Sequence, residues 1–403
     1  MTAPSASEAL ARTWDYCVSR DWTGHDPFDG LMATRFPATL LRASAAGRLA
    51  LLQAVKRSPV NLRPLLGVPP LRNPKALALG LESALLLTGD SSWRVPAESE
   101  ARRLAADLPR LAAPTAHGHG WGYPFDWQAR GRWIRRGVPT SVCTGFVVRA
   151  LDAARCALAV SDPALAAAAA AAMRPAAAFV LEDLQRTADA DGFCWSYSPD
   201  DDSVIVNATL LAAETVARVA ALDGDPSALE GIAPTVRWAL ARQNDEGGWT
   251  YGEAGHHAWE DGFHTAFNLA SLEAIRAAAE TLGADAETLV PGERLDRGYA
   301  HYAGRFFDAD GRPWYYRHTP WPIDAHSAAV GIITLARLGR RDPARRDQAR
   351  QVARWTVEHL WLPEGWFAYQ LRPRGLVRTP FLRWCQAWML RALAELNALE
   401  RVP

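Results

Sequence analysis

Apolar residues recur along the chain at helical spacing, and the apolar runs return in one repeated frame. In each copy a turn sets Gly or Pro beside aromatic residues, a short polar stretch follows, and an apolar helix comes next. Gly120-Trp121-Gly122-Tyr123 leads to Pro139-Thr140-Ser141-Val142-Cys143-Thr144 and a helix through Leu151. Gly192-Phe193-Cys194-Trp195-Ser196-Tyr197 leads to Val206-Asn207-Ala208 and a helix through Val219. Gly248-Trp249-Thr250-Tyr251-Gly252 leads to Asp261-Gly262-Phe263-His264 and a helix through Ile275. Pro313-Trp314-Tyr315-Tyr316 leads to Asp324-Ala325-His326 and a helix through Leu338, and Gly365-Trp366-Phe367-Ala368-Tyr369 leads to Phe381 and a helix through Leu396. Second helices fall between copies, as at 228–243 and 346–360. The tryptophan-to-tryptophan gaps, roughly 50 to 75 residues, hold two helices and two loops each.

The stretch 14–31, with Trp22 and Asp26-Pro27-Phe28-Asp29-Gly30, is a degenerate sixth copy whose helical partner is expected at 73–87. A helical hairpin cannot bury its apolar face alone, and six can close into a ring that needs no end caps. The pattern therefore predicts an all-α chain, an (α/α)6 toroid. Residues 1–403 are expected to form one domain, in which 1–110 supply divergent N-terminal helices that complete the ring. Abundant Ala, Leu, Arg and Glu agree with a helical chain.

Charge narrows the partners. The 44 basic and 44 acidic residues cancel, which argues against a dedicated nucleic-acid binder. Five cysteines, an odd number with no Cys-x-x-Cys pair, argue against a disulfide framework or a zinc knuckle. Reduced thiols and a cytoplasmic location are expected. The opening Met1-Thr2-Ala3-Pro4-Ser5 has no apolar core of the signal-peptide kind. The Ala-rich run 164–172 is too short to cross a bilayer and is interrupted by Arg174 and Pro175, so no transmembrane segment is expected.

If the helices behind the polar stretches are the inner ones, their N-termini open on one mouth. Thr144, Asn207, His264, His326 and Trp384 then align toward one cavity, with the aromatic turns as its rim. Packing does not require polar residues of differing chemistry at equivalent repeat positions. Thr140, Asp261 and Asp324 fit N-caps and site residues equally well. His264 and His326, at what reads as one repeat position, point to a shared site.

The segment Gln243-Asn244-Asp245-Glu246-Gly247-Gly248-Trp249 resembles the Gln-Trp repeat of the prenyltransferase and squalene-cyclase superfamily, and the stretch from Gln185 to Trp195 is a looser copy. More closely, the chain resembles small single-domain relatives of that superfamily associated with bacterial exopolysaccharide biosynthesis. Gly24-His25-Asp26-Pro27-Phe28-Asp29-Gly30-Leu31, Asn73-Pro74-Lys75-Ala76 and Asp261-Gly262-Phe263-His264-Thr265-Ala266-Phe267 carry that likeness. The resemblance implies the toroid but leaves the reaction open. Cyclases of the family need Asp-x-Asp-Asp or Asp-Asp-x-x-Asp. Pro199-Asp200-Asp201-Asp202 lacks the first aspartate of one, and Val204 replaces the last of the other. A zinc prenyltransferase would need a Cys beside the histidines, and a lanthionine cyclase a Cys-His pair; neither is evident.

The residues suit a saccharide. Toroids acting on uronic acids abstract a proton beside a carboxylate. His264, His326 and Tyr316, with Asp261 and Asp324, are the catalytic candidates for an epimerase or lyase. Trp121, Trp195, Trp249, Tyr251, Trp314, Trp366 and Tyr369 are candidate stacking platforms, and Asn207, Arg317, Arg378 and Arg383 candidate polar contacts, Arg suiting a carboxylate by its planar fork. No cofactor is expected. Hydrolysis by paired carboxylates (Asp261, Asp324, Glu260), a terpene-cyclase-like reaction on a prenyl substrate, and a glycan-binding toroid without chemistry are the alternatives. Asp261 and Asp324 with the histidines, and His256-His257 and His117-Gly118-His119 beside them, leave a metal site as a further possibility. The oligomeric state is not legible.

Overall fold

The computed structural model describes residues 3–128, 133–253 and 255–401; Met1 and Thr2 of the N-terminal reading lie outside them. Twelve helices of the described residues alternate between an outer and an inner layer. In chain order they are α1 (Ala6–Val18), α2 (Pro74–Leu87), α3 (Arg94–Asp107), α4 (Ser141–Leu158), α5 (Pro163–Ala178) and α6 (Val206–Asp223). Then come α7 (Ser227–Ala241), α8 (Gly262–Thr281), α9 (Gly292–Arg305), α10 (Ala325–Leu338), α11 (Pro343–Leu360) and α12 (Trp388–Glu400). The even-numbered helices pack side by side in cyclic order, and α12 returns to α2, so the inner layer is a closed ring. Each odd-numbered helix packs outside one inner helix, with α1 on α12. This is the toroid that the repeat predicts.

Burial explains the two layers. Inner α6 is buried at nearly every position, which needs an apolar face all round, whereas outer α11 buries one stripe (Ala349, Val352, Ala353, Thr356, Leu360) and exposes its charges. The motif glutamine Gln243 has a structural task. Its amide donates to Gly247 O (3.0 Å) and Arg294 O (2.9 Å) and accepts from Arg294 Nε, tying an aromatic turn to α9. The helical stretch Pro163–Asp183 runs past the Ala-rich segment. By length and composition alone it is long and apolar enough for a membrane span, yet here it is an outer helix packed on α4 and α6.

One long connection departs from the repeat. Between Thr23 and Arg72 the chain leaves the ring as an arm built on the helix Ala45–Arg57, with its own apolar cluster of Leu31, Leu51, Leu52, Val55 and Val68. Two acids in the motif 24–31 hold it, Asp29 within the arm and Asp26 to the ring. Asp29 takes Arg63 Nε at 2.6 Å, and Asp26 takes Arg383 at 2.5 and 2.8 Å, all four side chains being buried. The arm lies over the mouth of the ring, contributing Leu49, Gln53, Lys56 and Arg57 to the cavity wall.

At mid-barrel, three successive inner helices are locked by charge. Glu214 on α6 accepts from Arg149 on α4 (2.5 and 2.9 Å), Arg218 (2.7 Å) and Ser271 on α8 (2.8 Å). Burial opposes ionisation of Glu214, but the two guanidinium groups outweigh it and hold the carboxyl at about 2. Removing it leaves the largely buried Arg149 without a counter-charge and Arg218 with Asp152 alone. Glu214→Ala is expected to lower unfolding stability by about 3–5 kcal/mol in urea titrations. A loss under about 1 kcal/mol, as for a surface pair, would contradict this role.

Candidate active site

Each inner helix presents the same position to the mouth. Two residues after the residue that starts the helix, the side chain lines one cavity of about 510 Å³: Lys75, Val142, Asn207, Phe263, His326 and Arg383. The starting residues are Asn73, Thr140, Ile205, Asp261, Asp324 and Phe381, the last opening a π-helical stretch, Leu382–Ala387, that runs on into α12. Four of them cap with a side-chain oxygen, Asp261 accepting from His264 N (2.8 Å) and Asp324 from His326 N (2.8 Å). Ile205 has no such oxygen; its entry is fixed because Val206 N donates to Tyr251 O of the next turn. The same bond recurs around the ring: Ser141 N to Tyr197 O, Gly262 N to Tyr315 O, Ala325 N to Tyr369 O and Leu382 N to His25 O.

His264 and His326 both line the cavity, but they are not repeat equivalents. His326 stands two residues after its cap and His264 three, about 100° further round the helix. The true counterpart of His326 is Phe263, whose ring lies between the imidazoles, with centroids 4.2 Å from His264 and 4.6 Å from His326. Asp261 holds His264 Nδ1 at 2.7 Å. With Nδ1–H donated there, the lone pair is left on Nε2. His326 is buried among Phe263, Trp384 and Trp388, and neither ring nitrogen has a partner. Burial, with the positive charges of Lys75 and Arg383, pushes its pKa well below 6.5 and keeps it neutral. Asn207 Oδ1 is also buried and unpartnered. Buried orphan atoms of this kind in a cavity wall are suited to a ligand.

Asp324 sits behind the wall. It accepts from Gln370 Nε2 (2.7 Å) and Trp384 Nε1 (3.0 Å), and burial raises its carboxyl to about 6. Asp261 and Asp324 thus orient His264, Trp384 and the helix ends without lining the cavity. Tyr251 lies flat on Trp259 (4.5 Å) and against His264 (4.5 Å). Tyr316 also lines the wall, and burial raises both phenols, so they remain protonated.

Other expected site residues are not brought to the cavity. Trp121 and Trp249 are buried and donate outward, to Leu108 O (2.8 Å) and Ala239 O (2.9 Å). Trp195 is buried against Phe193, Trp314 donates to Asp308, and Trp366 packs on Tyr16. These tryptophans fasten the turns to the structure around them and do not form the rim. Tyr369 packs on Phe381 behind the wall, and Thr144 is spent on Trp121 N. Arg317 is paired with Glu246 and Glu260, and Arg378 with Glu364, so neither guanidinium is available in the wall. Arg383 does line it, already bound to Asp26. The wall also contains residues that sequence reasoning did not select: Tyr123, Tyr197, Trp259, Lys56 and Lys75. The signal for two of them was in the repeat, since Tyr follows Trp by two residues at 121–123, 195–197, 249–251 and 314–316.

Lys75 Nζ lies 3.7 Å above the Phe146 ring, and Lys56 Nζ lies 3.9 Å above Phe28. Among the described residues neither ammonium forms an ion pair. Burial lowers Lys56 to about 8 and Lys75 well below 10.5. Among the described residues no Asp or Glu lines the cavity. Asp261, Asp324 and Glu260, the carboxylates considered for hydrolysis, are each engaged behind the wall, Glu260 with His301 at 2.5 Å. Asp200, Asp201 and Asp202 lie outside it. Among the described residues no three His, Cys, Asp or Glu side chains gather as a metal-holding group. His256 and His257 line the mouth, while His117 pairs with Asp183 and His119 with Ala172 O, away from the cavity.

No family model matches the chain, and no curated protein matches it. Solved structures do. A possible member of the GH105 family from Salmonella enterica aligns with TM-score 0.61 at 12% identity, over 99% of this chain and 95% of that one. The chain is an (α/α)6 toroid. Cellobiose 2-epimerase from Spirochaeta thermophila aligns with TM-score 0.56 at 14% identity, over 82% and 88% of the two chains. An unsaturated glucuronyl hydrolase specific for heparin aligns with TM-score 0.55 at 12% identity, over 99% and 96%. At these identities the likeness is one of fold, shared with glycan-processing enzymes.

A neutral buried His326 has a pH signature. Its folded-state pKa is depressed below the unfolded value near 6.5, so its contribution to stability is complete above about pH 6.5. Below that the unfolded chain takes up a proton that the folded chain refuses, and stability falls by about 1.4 kcal/mol per pH unit. Asp324 acts in the opposite sense between about pH 4 and its raised value of about 6, so His326 is isolated by difference. His326→Phe is expected to lose less stability than the native protein between about pH 7 and pH 5 in chemical denaturation. Equal losses in both proteins would show that His326 titrates normally.

Proposed function

We propose that this toroid is a carbohydrate-active enzyme that removes a proton beside the carboxylate of a uronic-acid-containing saccharide. The observation that carries the reading is the composition of the wall. It joins a histidine fixed by a carboxylate with unpaired ammonium groups and protonated tyrosines, and among the described residues none that lines it is acidic. Two-carboxylate hydrolysis needs acids facing the scissile bond, and these acids face away. Unpaired cations in an apolar wall favour an anionic substrate.

In this reading Lys75 and Lys56 hold the substrate carboxylate, and Tyr251 and Trp259 stack on a sugar face. His264 Nε2 takes the C5 proton, and the electron pair passes into the carboxylate to give an enolate that the ammonium groups stabilise. Asp261 keeps the tautomer and steadies the imidazolium. Return of a proton to the opposite face, from Tyr316 or through His326, gives the epimer. Alternatively the enolate expels the C4 oxygen, which Tyr316 protonates, leaving a C4–C5 double bond. Asn207 completes the hydroxyl contacts. A cytoplasmic setting is supported by the five free cysteines, four of them buried. The link to exopolysaccharide biosynthesis and to squalene-cyclase-like relatives rests on the sequence segments at 24–31, 73–76, 243–249 and 261–267.

The test is incubation with a panel of uronate polymers and oligosaccharides in deuterated water. Deuterium at C5 or an unsaturated product is expected. His264→Ala is expected to lower kcat by roughly 10²-fold or more, and Asp261→Asn to lower kcat with native helicity. Lys75→Met is expected to act mainly on KM. No exchange and no unsaturated product across the panel would sink the proposal, as would full activity in His264→Ala.

A further inference from the structure

The arm over the mouth has a surface that the ring does not share. Five of the seven large apolar side chains exposed among the described residues belong to it, including Phe36 (77% exposed), Leu40 (67%), Leu41 and Leu65 (69%). Backbone pairing gathers four of them. Arg35 N donates to Leu66 O, and the Arg35 guanidinium reaches Leu65 O, which sets Phe36 beside Leu65. The turn Ala38–Leu41 then carries Leu40 and Leu41. Around them the charge has one sign. Within the arm, from Gly30 to Leu71, there is no Asp or Glu, but there are six Lys and Arg, of which Lys56 and Arg57 face the cavity and Arg63 is bound to Asp29. Among the described residues Arg35, Arg42 and Arg48 form no ion pair with a carboxylate, although the charges of the whole chain cancel.

We propose that the tip of the arm docks on an anionic phospholipid bilayer, with Phe36, Leu40, Leu41 and Leu65 entering the headgroup–acyl boundary and the surrounding arginines meeting lipid phosphates. Apolar side chains amid unpaired cations are the combination that an anionic interface binds, and each part alone is weak. A second copy is a poorer occupant. A two-fold contact would set this acid-free surface against itself, cation against cation. Docking would hold the cavity mouth, walled by the same arm, close to the membrane surface.

Flotation of the purified full chain with vesicles tests this. Binding is expected to vesicles that mix phosphatidylcholine with phosphatidylglycerol, to be weak with phosphatidylcholine alone, and to decline as salt is raised. The variant F36S/L40S/L41S/L65S is expected to lose roughly tenfold or more of its partitioning, with unchanged circular dichroism and thermal unfolding. In the native protein, mixed vesicles are expected to slow amide exchange at residues 36–41 and 63–66. Absence of flotation with the mixed vesicles, or undiminished flotation of the folded variant, would overturn the proposal. So would concentration-dependent dimerisation in light scattering that this variant abolishes, which would make a second copy the occupant.

Discussion

The bond on which the ring depends runs from the first N–H of an inner helix to a carbonyl in the next unit's aromatic turn. A helix begins with N–H groups that its own turns cannot satisfy. Five inner helices spend the first of them on Tyr197, Tyr251, Tyr315, Tyr369 or His25; the sixth begins with Pro74, which has none to spend. The unit after a helix therefore completes that helix, and the contact to His25 brings the C-terminal unit back to the N-terminal segment. The same bond fixes the turn backbone, so several of the turn tyrosines reach the cavity while the tryptophans are held behind them.

A common entry for six helices also sets the electrostatics of the mouth. Six N-termini point their positive ends at one space, and the wall adds Lys56, Lys75 and Arg383. The aspartates that would neutralise this charge are withdrawn by one layer. Asp261 fixes an imidazole, Asp324 holds an indole and a helix end, and Asp26 anchors Arg383 to the arm. A carboxylate one layer back directs the groups in front of it without repelling an anionic ligand. The cost is Asp324's own burial, visible in its raised pKa of about 6.

The arm changes what the ring can do. A bare toroid leaves its mouth open to water, whereas this one is roofed by a segment with its own small core, braced internally by Asp29 and bolted down through Asp26. The side of the arm that faces the cavity supplies Lys56, and its tip carries the exposed apolar residues. The insertion thus supplies one wall of the site as well as the surface that sets the molecule's surroundings.

The sequence by itself determined the ring. Helical periodicity, Gly-aromatic turns and polar starts such as Thr140, Asp261 and Asp324 are local signals, written within one or two helical turns and repeated. It also marked His264, His326, Asn207, Tyr251, Tyr316 and Arg383, because a departure from a repeat is visible along the chain. The tertiary structure alone decided which way each side chain points. A shift of one residue on a helix turns a side chain through about 100°, so once Asp261 and Asp324 are both helix caps, His264 at three residues and His326 at two face different ways. Trp121, Trp195 and Trp249 look like a rim, but in the folded ring their side chains are buried away from the cavity, Trp121 on Leu108 O and Trp249 on Ala239 O. Lys75 reads as an ordinary helix-start lysine until the ring closes, and only then does it become an unpaired cation over Phe146 in the wall of the cavity.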